Sequence, residues 1–501
     1  MDDKLLDKNL IISAVDNKLN HKNRKSQKDN LIYKNDHITI DVSRNFIDKQ
    51  TLSRLFKLLK DIEIKKEITK LFSNKFKSKS ENKYVSHIFL RNSQQGEKTI
   101  NDMYNMYDSI RKNSLKNFTT RKIKNIIHIG IGGSNLGPKF VCNALKDYST
   151  KDFNINFVSS SDTKELDDAI KNLDLEETIF IFSSKSFVTK EILINLDYIK
   201  KILKSKFASS EIVSRHLFAI TSDKSTAIKK GIDANKILIF SKNIPGRFSV
   251  TSALSFIILL QIGKANFKKF YKGIIKMDNH FKRTKISNNI PMILAIISIW
   301  NINFFSIRNF CVCPYNYRLK DAIEYIQQIE MESNGKSSDI YSNEINIDTS
   351  PIVFGQAGTD CQHSFFQMIH QGSQDIALDF VGVIDSNDNK VSSNFLISNL
   401  IAQANLCFYG KGSQKNNKKI RGNNPSNIIL MNSVDPHSVG NLISMYEHKI
   451  FVEGILWNIN SFDQWGVEEG KLLASKFINK INQSNRKDTD KIILQLLKTK
   501  F

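Results

Sequence analysis

The sequence predicts an α/β fold with two parallel sheets, each covered by helices on both faces. The chain has 501 residues, and single hydrophobic cores stop growing at roughly 250–300 residues, so two or more domains are expected. From about residue 120 onward, short apolar runs alternate with amphipathic helical stretches. Continuous apolar strands that alternate with helices are typical of parallel sheets buried on both faces. The sequence therefore predicts two doubly wound αβα sandwich domains.

Two series of apolar runs define the predicted strands. The first series is Ile126–Ile131, Phe153–Val158, Thr178–Phe182, Leu217–Ile220 and Ile237–Phe240. The second series is Phe310–Val312, Ile352–Phe354, Ile376–Val383 and Ile428–Met431. The break between them falls in the apolar helical stretch 255–300. We expect a smaller first domain over residues 96–265 and a larger second domain over residues 266–480.

The two ends of the chain are predicted to be helical extensions. Residues 1–95 are polar, and Leu52–Phe72 has apolar positions at helical spacing among lysines. We expect residues 1–95 to pack on the larger domain as a helical segment. Residues 481–501 are expected to form a helical tail.

The net charge is strongly positive, yet the distribution of the charged residues does not favour a nucleic-acid-binding protein. The chain carries 73 Lys+Arg against 50 Asp+Glu, a formal charge of +23. Of the basic residues 60 are lysines and 13 are arginines, and residues 301–400 are net negative. A protein that reads base edges more often shows clustered arginines. A solvated basic surface is therefore the favoured interpretation, and nucleic-acid binding is the less favoured one.

The cysteines and the apolar stretches indicate a cytoplasmic protein. The number of cysteines is odd and no Cys-x-x-Cys occurs, which disfavours a disulfide scaffold: they are Cys142, Cys311, Cys313, Cys361 and Cys407. The beginning of the sequence lacks a basic stretch followed by an apolar core. The longest apolar stretches, Ala253–Ile262 and Ile290–Trp300, are shorter than the roughly 18–20 residues of a spanning helix. Both are expected to be buried helices.

Candidate functional residues follow the predicted strands, because open α/β sheets bind ligands at the carboxyl ends of their strands. After the first strand, Gly132, Gly133 and Ser134 lead into a helix. Glycines permit a tight turn, and free N–H groups at a helix N-terminus bind anions. The third glycine of a dinucleotide fingerprint is missing. A phosphate site and a plain strand-to-helix turn both remain open here.

A second turn of this kind follows the strand predicted at Thr178–Phe182. Ser184, Lys185, Ser186 and Thr189 precede another helix, and hydroxyls with a lysine suit a phosphate monoester. A serine N-cap beside a solvated lysine is the alternative. Two such turns in one sheet favour a phosphorylated ligand. The missing Gly-Lys-Ser/Thr signature disfavours hydrolysis of nucleoside triphosphates.

Three further segments carry candidates for acid–base chemistry. Arg247 is held in a Pro-Gly turn, where it either stabilises an oxyanion or is an ordinary surface arginine. Glu330 and Glu332 lie near a predicted helix end and are two residues apart, so at most one faces a given cleft. His363 and His370 share a helical face but lack zinc-helix spacing, so one could be an acid or base and the other a core residue. No metal site is predicted.

The last candidate segment, residues 457–471, is dense in aromatic and polar residues. Asp463 is predicted to cap the helix that follows. Lys471 lies seven residues after Gln464 and would share its helical face, although an exposed lysine at a packed helix start is the plainer interpretation.

Taken together, these segments resemble the glucose-6-phosphate isomerase family from about Val85 to about Ile481. The matching motifs are IGIGGSNLGP at 129–138, PGRFS at 245–249, MESNGK at 331–336, the QH…QMIHQG segment at 362–372 and EHKIFVEGILWNINSFDQWGVEEGK at 447–471. The resemblance implies two αβα domains of the sugar-isomerase type. It also implies reversible exchange of D-glucose 6-phosphate and D-fructose 6-phosphate in glycolysis and gluconeogenesis.

The resemblance assigns roles to individual residues. Glu332 matches the glutamate that moves a proton between C1 and C2 through a cis-enediol, and Arg247 matches the arginine that stabilises the enediolate. His363 and Lys471 match the pair that opens the sugar ring. The remaining matches are substrate contacts: Ser184, Lys185, Ser186 and Thr189 for the phosphate, and Gly133, Ser134, Gln328 and Gln464 for the sugar.

The resemblance also implies a homodimer, in which His363 reaches the partner's active site, and no metal or organic cofactor. One departure adjoins the base, since Ile329-Glu330 replaces the family's common Gly-Asp before Met331-Glu332. A non-catalytic sugar-phosphate-binding regulator of the same fold is the alternative. A related, shorter family that also isomerises mannose 6-phosphate lacks the SFDQWGVE segment.

Overall fold

The computed structural model describes residues 10, 13, 14, 31–112, 121–207, 209–385 and 389–482. The chain divides into two compact units, Met1–Ser461 and Phe462–Phe501. The first unit contains a five-stranded parallel sheet, a six-stranded mixed sheet and a small two-stranded sheet. The described part of the second unit consists of a short irregular segment followed by one helix.

The strands and helices are numbered in chain order within the described residues. The strands are β1 Ile32–Lys34, β2 Ile38–Arg44, β3 Lys77–Ser78, β4 Lys83–Tyr84, β5 Asn125–Gly130, β6 Asn154–Val158, β7 Thr178–Ser183, β8 Leu217–Thr221, β9 Ile237–Ile239, β10 Asn309–Pro314, β11 Ile352–Gly355, β12 Ile376–Val383 and β13 Ser426–Met431. The helices are α1 Lys49–Asp61, α2 Ile64–Phe72, α3 His87–Leu90, α4 Gln94–Arg111, α5 Leu136–Ala144, α6 Thr163–Ile170, α7 Lys190–Phe207, α8 Ser210–Arg215, α9 Lys224–Lys229, α10 Phe256–Arg283, α11 Ile290–Ile299, α12 Ala322–Asn334, α13 Phe366–Gln371, α14 Lys390–Tyr409, α15 Pro436–Leu456 and α16 Trp465–Asn482.

The first sheet has the order β6-β5-β7-β8-β9, and all of its neighbouring strands are parallel. Its strands confirm the first predicted series. Residues on β5 and β7, including Ile127 and Phe180, are buried in one apolar cluster with helix α7. Gly130 pairs with Ser183 where β5 and β7 end. The two candidate turns therefore start side by side at one edge of the sheet.

The second sheet has the order β1-β2-β13-β12-β10-β11. Strands β10 to β13 pair in parallel and confirm the second predicted series. The predicted α/β fold with two parallel sheets is therefore confirmed. Residues 256–260 at the start of α10 and nine of the ten residues of α11 are buried, as expected for these two apolar stretches.

The expectation of a helical segment over residues 1–95 is wrong for the strands β1, β2, β3 and β4. Strand β2 pairs antiparallel with β13 and extends the second sheet. Ile38, Ile40 and Val42 alternate with polar residues and are fully buried, which is the two-residue period of a strand. Helices α1 and α2 do form within Lys49–Phe72. The domain boundaries stay a prediction, and the predicted tail beyond Asn482 lies outside the described residues.

Within the described part of the chain, no helix combines the length and the apolar character needed to span a membrane.

Candidate functional site

The glycine turn after β5 lies against the turn that carries Arg247. Gly132 has a φ of +53°, a left-handed conformation that glycine adopts without strain. A Cβ added to Gly133 would lie 2.2 Å from the carbonyl oxygen of Gly246, so a side chain does not fit there. This close backbone approach joins the first sheet to the arginine turn.

The loop after β7 is held by its own hydroxyls. The Ser184 Oγ accepts a hydrogen bond from the Phe187 N–H at 3.1 Å and lies 3.0 Å from the Thr189 Oγ1. The Lys185 carbonyl accepts from the Ser222 N–H at 3.0 Å, which ties the loop to the end of β8. Ser186 is exposed. The hydroxyls and helix α7 are thus preorganised before any anion arrives, which supports the phosphate interpretation of this turn.

Lys185 is a half-buried cation at this loop. Burial lowers the pKa of Lys185, Glu81 opposes this shift, and the cations of Lys83 and Arg247 add to it. Within the residues that the structure describes, Lys185 forms no ion pair. An anionic ligand would supply the missing counter-charge, which makes this lysine a candidate anion contact.

We expect Lys185→Met to raise the KM for a phosphorylated substrate by about 10–100-fold with little change in kcat, since one charge-assisted contact is lost. The cation is present below the lowered pKa of Lys185 and disappears as the pH rises through it. The decrease of kcat/KM at alkaline pH should therefore be smaller in the variant, because the pH dependence of kcat/KM reports groups of the free enzyme. Lys204→Met, at an exposed lysine of α7, is the control and should leave both constants unchanged.

Arg247 is a buried arginine, so the surface-loop alternative is wrong. Only 2% of the residue is exposed. Its Nε donates to the Ser333 Oγ at 2.7 Å, and its Nη2 donates to the Ser461 carbonyl at 2.7 Å. Its Nη1 lies 3.6 Å from the Glu332 Oε2. The guanidinium is therefore oriented from two sides and presents one edge to a carboxylate.

Glu330 and Glu332 point in different directions from α12, as their spacing predicts. The Glu330 side chain is fully buried, whereas a quarter of the Glu332 side chain is exposed. Gln328, one turn earlier, donates from its Nε2 to the Glu332 Oε2 at 2.9 Å. A Cβ on Gly132 would lie 3.1 Å from the same Gln328 nitrogen. Glu332 thus stands where α12, the glycine turn and the arginine turn meet.

This geometry suits proton transfer next to a developing negative charge. A partly exposed carboxylate can accept and return a proton, and a fixed guanidinium stabilises an oxyanion without reorganising. Ser134 follows Gly133 in the same turn and is half-buried. Among the described residues, no group of three or more His, Cys, Asp or Glu side chains is arranged to hold a metal ion.

The two histidines have different surroundings. His363 is exposed at the end of the short turn Asp360–His363, and within the described residues its side chain forms no hydrogen bond. The His370 Nε2 lies 2.8 Å from the Gln403 Oε1, and burial lowers the pKa of His370. His370 is thus the half-buried, hydrogen-bonded member of the pair. The structure gives His363 no hydrogen bond to Glu332 or Arg247 within the described chain.

Gln464 and Lys471 belong to the second compact unit. Gln464 precedes α16, and its carbonyl accepts from the Val467 N–H at 3.1 Å. Lys471 lies on α16 with its Nζ 2.9 Å from the Glu468 Oε1, and 64% of its side chain is exposed. Their contribution to the site stays a prediction.

Sequence reasoning missed Ser333 and Ser461, the two partners of Arg247. Ser333 directly follows Glu332, and this adjacency was the one available signal. The carbonyl of Ser461 carries no side-chain signal, because any residue supplies a backbone oxygen.

Comparison with known proteins identifies one family. The family model described as phosphoglucose isomerase matches residues 41–492. A glucose-6-phosphate isomerase of Buchnera aphidicola subsp. Cinara cedri is 39% identical over 481 residues, which cover 90% of this chain and 88% of the relative. One of Helicobacter acinonychis is 34% identical over 477 residues, covering 89% and 88%. The crystal structure of a glucose-6-phosphate isomerase from Chlamydia trachomatis superimposes with a TM-score of 0.83 at 28% identity, covering 95% of this chain and 94% of that one.

Proposed function

The chain belongs to the phosphoglucose isomerase family, and from this we propose that Glu332 and Arg247 catalyse the interconversion of D-glucose 6-phosphate and D-fructose 6-phosphate. The protein is an aldose–ketose isomerase of glycolysis and gluconeogenesis. The observation that carries the residue assignment is the 3.6 Å separation between the Arg247 Nη1 and the Glu332 Oε2. Nothing favours the alternative of a non-catalytic regulator.

In the proposed mechanism Glu332 removes the proton from C2 of the open-chain aldose. The electron pair moves into a C1–C2 double bond, and negative charge develops on the carbonyl oxygen at C1. Arg247 stabilises this charge, because its fork is already oriented by Ser333 and Ser461. The C2 hydroxyl proton passes to the C1 oxygen, which gives the cis-enediolate with its charge on the C2 oxygen. Glu332 then returns its proton to C1 while the C2–O bond becomes the new carbonyl. Gln328 holds the carboxylate in place by its hydrogen bond.

The phosphate supplies binding energy remote from the reacting carbons. We assign it to Ser184, Lys185, Ser186 and Thr189, with the sugar lying towards Gly133 and Ser134. A dianion at these hydroxyls and at the N-terminus of α7 gains from the helix dipole and from Lys185. Energy from this contact can be used to orient C1 and C2 against Glu332.

We assign ring opening to Lys471 and to a His363 donated by a second copy of the chain. The exposure of His363 supports this assignment, since a catalytic imidazole needs a neighbour to orient it. Exposed apolar side chains on α13 and α14 support a homodimer. Val391 and Phe395, one turn apart on α14, are 79% and 60% exposed, and Met368 on the neighbouring α13 is 40% exposed. Apolar groups presented together on adjacent helices mark a protein contact.

Mixing two inactive variants tests the shared site. We expect His363→Ala and Glu332→Gln homodimers each to be nearly inactive, since each lacks one group in both sites. In a mixed dimer one of the two sites has an intact Glu332 and an intact partner histidine. Co-refolded mixtures should therefore recover roughly a quarter of wild-type activity when half of the dimers are mixed. Mixtures that stay as inactive as the parents would contradict donation across the interface.

The direct test of the function is conversion of fructose 6-phosphate to glucose 6-phosphate by purified protein, followed with a coupled dehydrogenase. The reaction is run with chelator to test the predicted independence of metals. Failure to convert fructose 6-phosphate under these conditions would refute the proposal. We also propose a cytoplasmic location, which the five free cysteines support.

A further inference from the structure

A buried ion cluster lies behind the helix that carries Glu332. It consists of Lys449 and Glu453 on α15 and Glu330 on α12. The Lys449 Nζ lies 2.7 Å from the Glu330 Oε2 and 2.7 Å from the Glu453 Oε1. All three side chains are at most 3% exposed. Burying charged side chains costs free energy even when they are paired, so stability alone does not explain why these three residues are charged types.

The buried ion cluster connects to the catalytic arginine through Asn334, the last residue of α12. The Asn334 Nδ2 donates to the Glu453 Oε2 at 3.2 Å and to the Ile450 carbonyl at 3.3 Å. Its Oδ1 accepts from the Ser461 Oγ at 2.7 Å. The carbonyl oxygen of the same Ser461 accepts a hydrogen bond from the Arg247 Nη2. A continuous path of one ion pair and several hydrogen bonds thus leads from Lys449 to the guanidinium.

Gly454 leaves room for the Ser461 side chain to reach Asn334 in this path. A Cβ at Gly454 would lie 1.9 Å from the Ser461 Oγ and 3.4 Å from the Asn334 Oδ1. The serine can therefore approach α15 only because position 454 has no side chain.

Burial and neighbouring charges both shift the pKa values of Lys449 and Glu453. Burial lowers the pKa of Lys449, but the attraction of Glu330 and Glu453 more than offsets it and raises the pKa overall. Burial and the nearby Glu330 raise the pKa of Glu453 well above its usual value. Burial thus opposes ionisation of Glu453, whereas the neighbouring carboxylates favour the charged form of Lys449.

We propose that Lys449 and Glu330 are positioning residues for the isomerase reaction. Their ion pair holds the last turn of α12, so that Ser333 and Asn334 orient the guanidinium of Arg247 beside Glu332. The inference rests on the proposed function and deepens it. Neither residue touches the substrate, and both act through Arg247.

Lys449→Met is the first test variant. We expect kcat to fall by about 10–100-fold, because small misplacements of a catalytic group have effects of that size. The KM for fructose 6-phosphate should change less than about twofold, since Ser184 and Lys185 lie in a loop of the other sheet. Tyr446→Phe is the matched control. It removes a buried hydroxyl of α15 that donates to Asp379 at 2.8 Å, and it should lower the melting temperature without lowering kcat.

A second pair of variants decides the question if Lys449→Met fails to fold. Glu330→Gln removes the charge but keeps the length, and Glu330→Asp keeps the carboxylate that is common in the family. We expect Glu330→Gln to lose about tenfold in kcat, whereas Glu330→Asp should retain most of it. A role in stability alone predicts altered melting temperatures and equal kcat values for the folded variants, and that result would overturn the inference.

The outcomes distinguish this inference from the proposed function. If the wild type is active and Glu332→Gln is inactive, unchanged kcat in the folded Glu330 variants overturns the positioning role alone. If the wild type does not isomerise fructose 6-phosphate, the proposed function fails and the positioning role fails with it.

Discussion

Replacing Glu332 by glutamine should lower kcat by about 10⁴-fold, the upper end of what one acid–base group contributes. The amide keeps the size of the side chain and can still bond to Gln328, but it cannot accept and return the substrate proton. The KM should stay within a few-fold of wild type, because the proposed phosphate contacts lie in the loop after β7. Initial rates in the coupled assay and calorimetric titration of substrate measure the two effects separately.

Glu324→Gln provides a matched control on the same helix. Glu324 is exposed and lies 3.3 Å from Lys139, and such surface pairs contribute at most about 1 kcal/mol to stability. Its variant should retain wild-type kcat. A Glu332→Gln enzyme with normal turnover would show that another group is the base.

Replacing Arg247 by lysine should lower kcat by about 10²–10³-fold, although the positive charge is kept. Loss of a single oriented oxyanion contact has this magnitude. The ammonium group cannot reproduce the fork that donates to Ser333 and Ser461 while facing Glu332. The buried Ser461 carbonyl then loses its partner, at a cost of about 1–3 kcal/mol in the free energy of unfolding. Kinetics well below the melting temperature separate the two effects.

Arg308→Lys is the control for this substitution. Arg308 is mostly exposed and pairs with Asp348 at 2.8 Å, so the exchange should change neither kcat nor the melting temperature measurably. Wild-type kcat in folded Arg247→Lys would mean that bulk positive charge suffices. The proposed role of an oriented guanidinium would then be wrong.

The strands of both sheets were predictable from local pattern. Runs such as Ile126–Ile131 and Ile376–Val383 are apolar throughout because both of their faces are covered, and this requirement is visible in the sequence alone. Strand β2 was missed, since its buried Ile38, Ile40 and Val42 lie in a polar, lysine-rich region that was interpreted as helical. Its partner β13 is almost four hundred residues away in the sequence. The residues that flank β2 therefore do not indicate that pairing.

The candidate site, like the fold, was predictable from the sequence only in part. The motifs placed Glu332, Arg247 and the hydroxyls after β7 at the carboxyl ends of strands and at helix ends. They left open whether Arg247 is a surface arginine and which of two glutamates faces the cleft. The structure decided both, since Arg247 is buried between Ser333 and Ser461 while Glu330 turns inward to Lys449.

By itself, the sequence determined the fold class, the family and the residue types available for proton transfer and anion binding. These follow from periodicity and from motifs of neighbouring residues, which short-range physics governs. Only the tertiary structure decided that Arg247 and Glu332 lie 3.6 Å apart and that Lys449 stands behind them. Such contacts join segments separated by about a hundred residues, and their geometry depends on how whole sheets and helices pack.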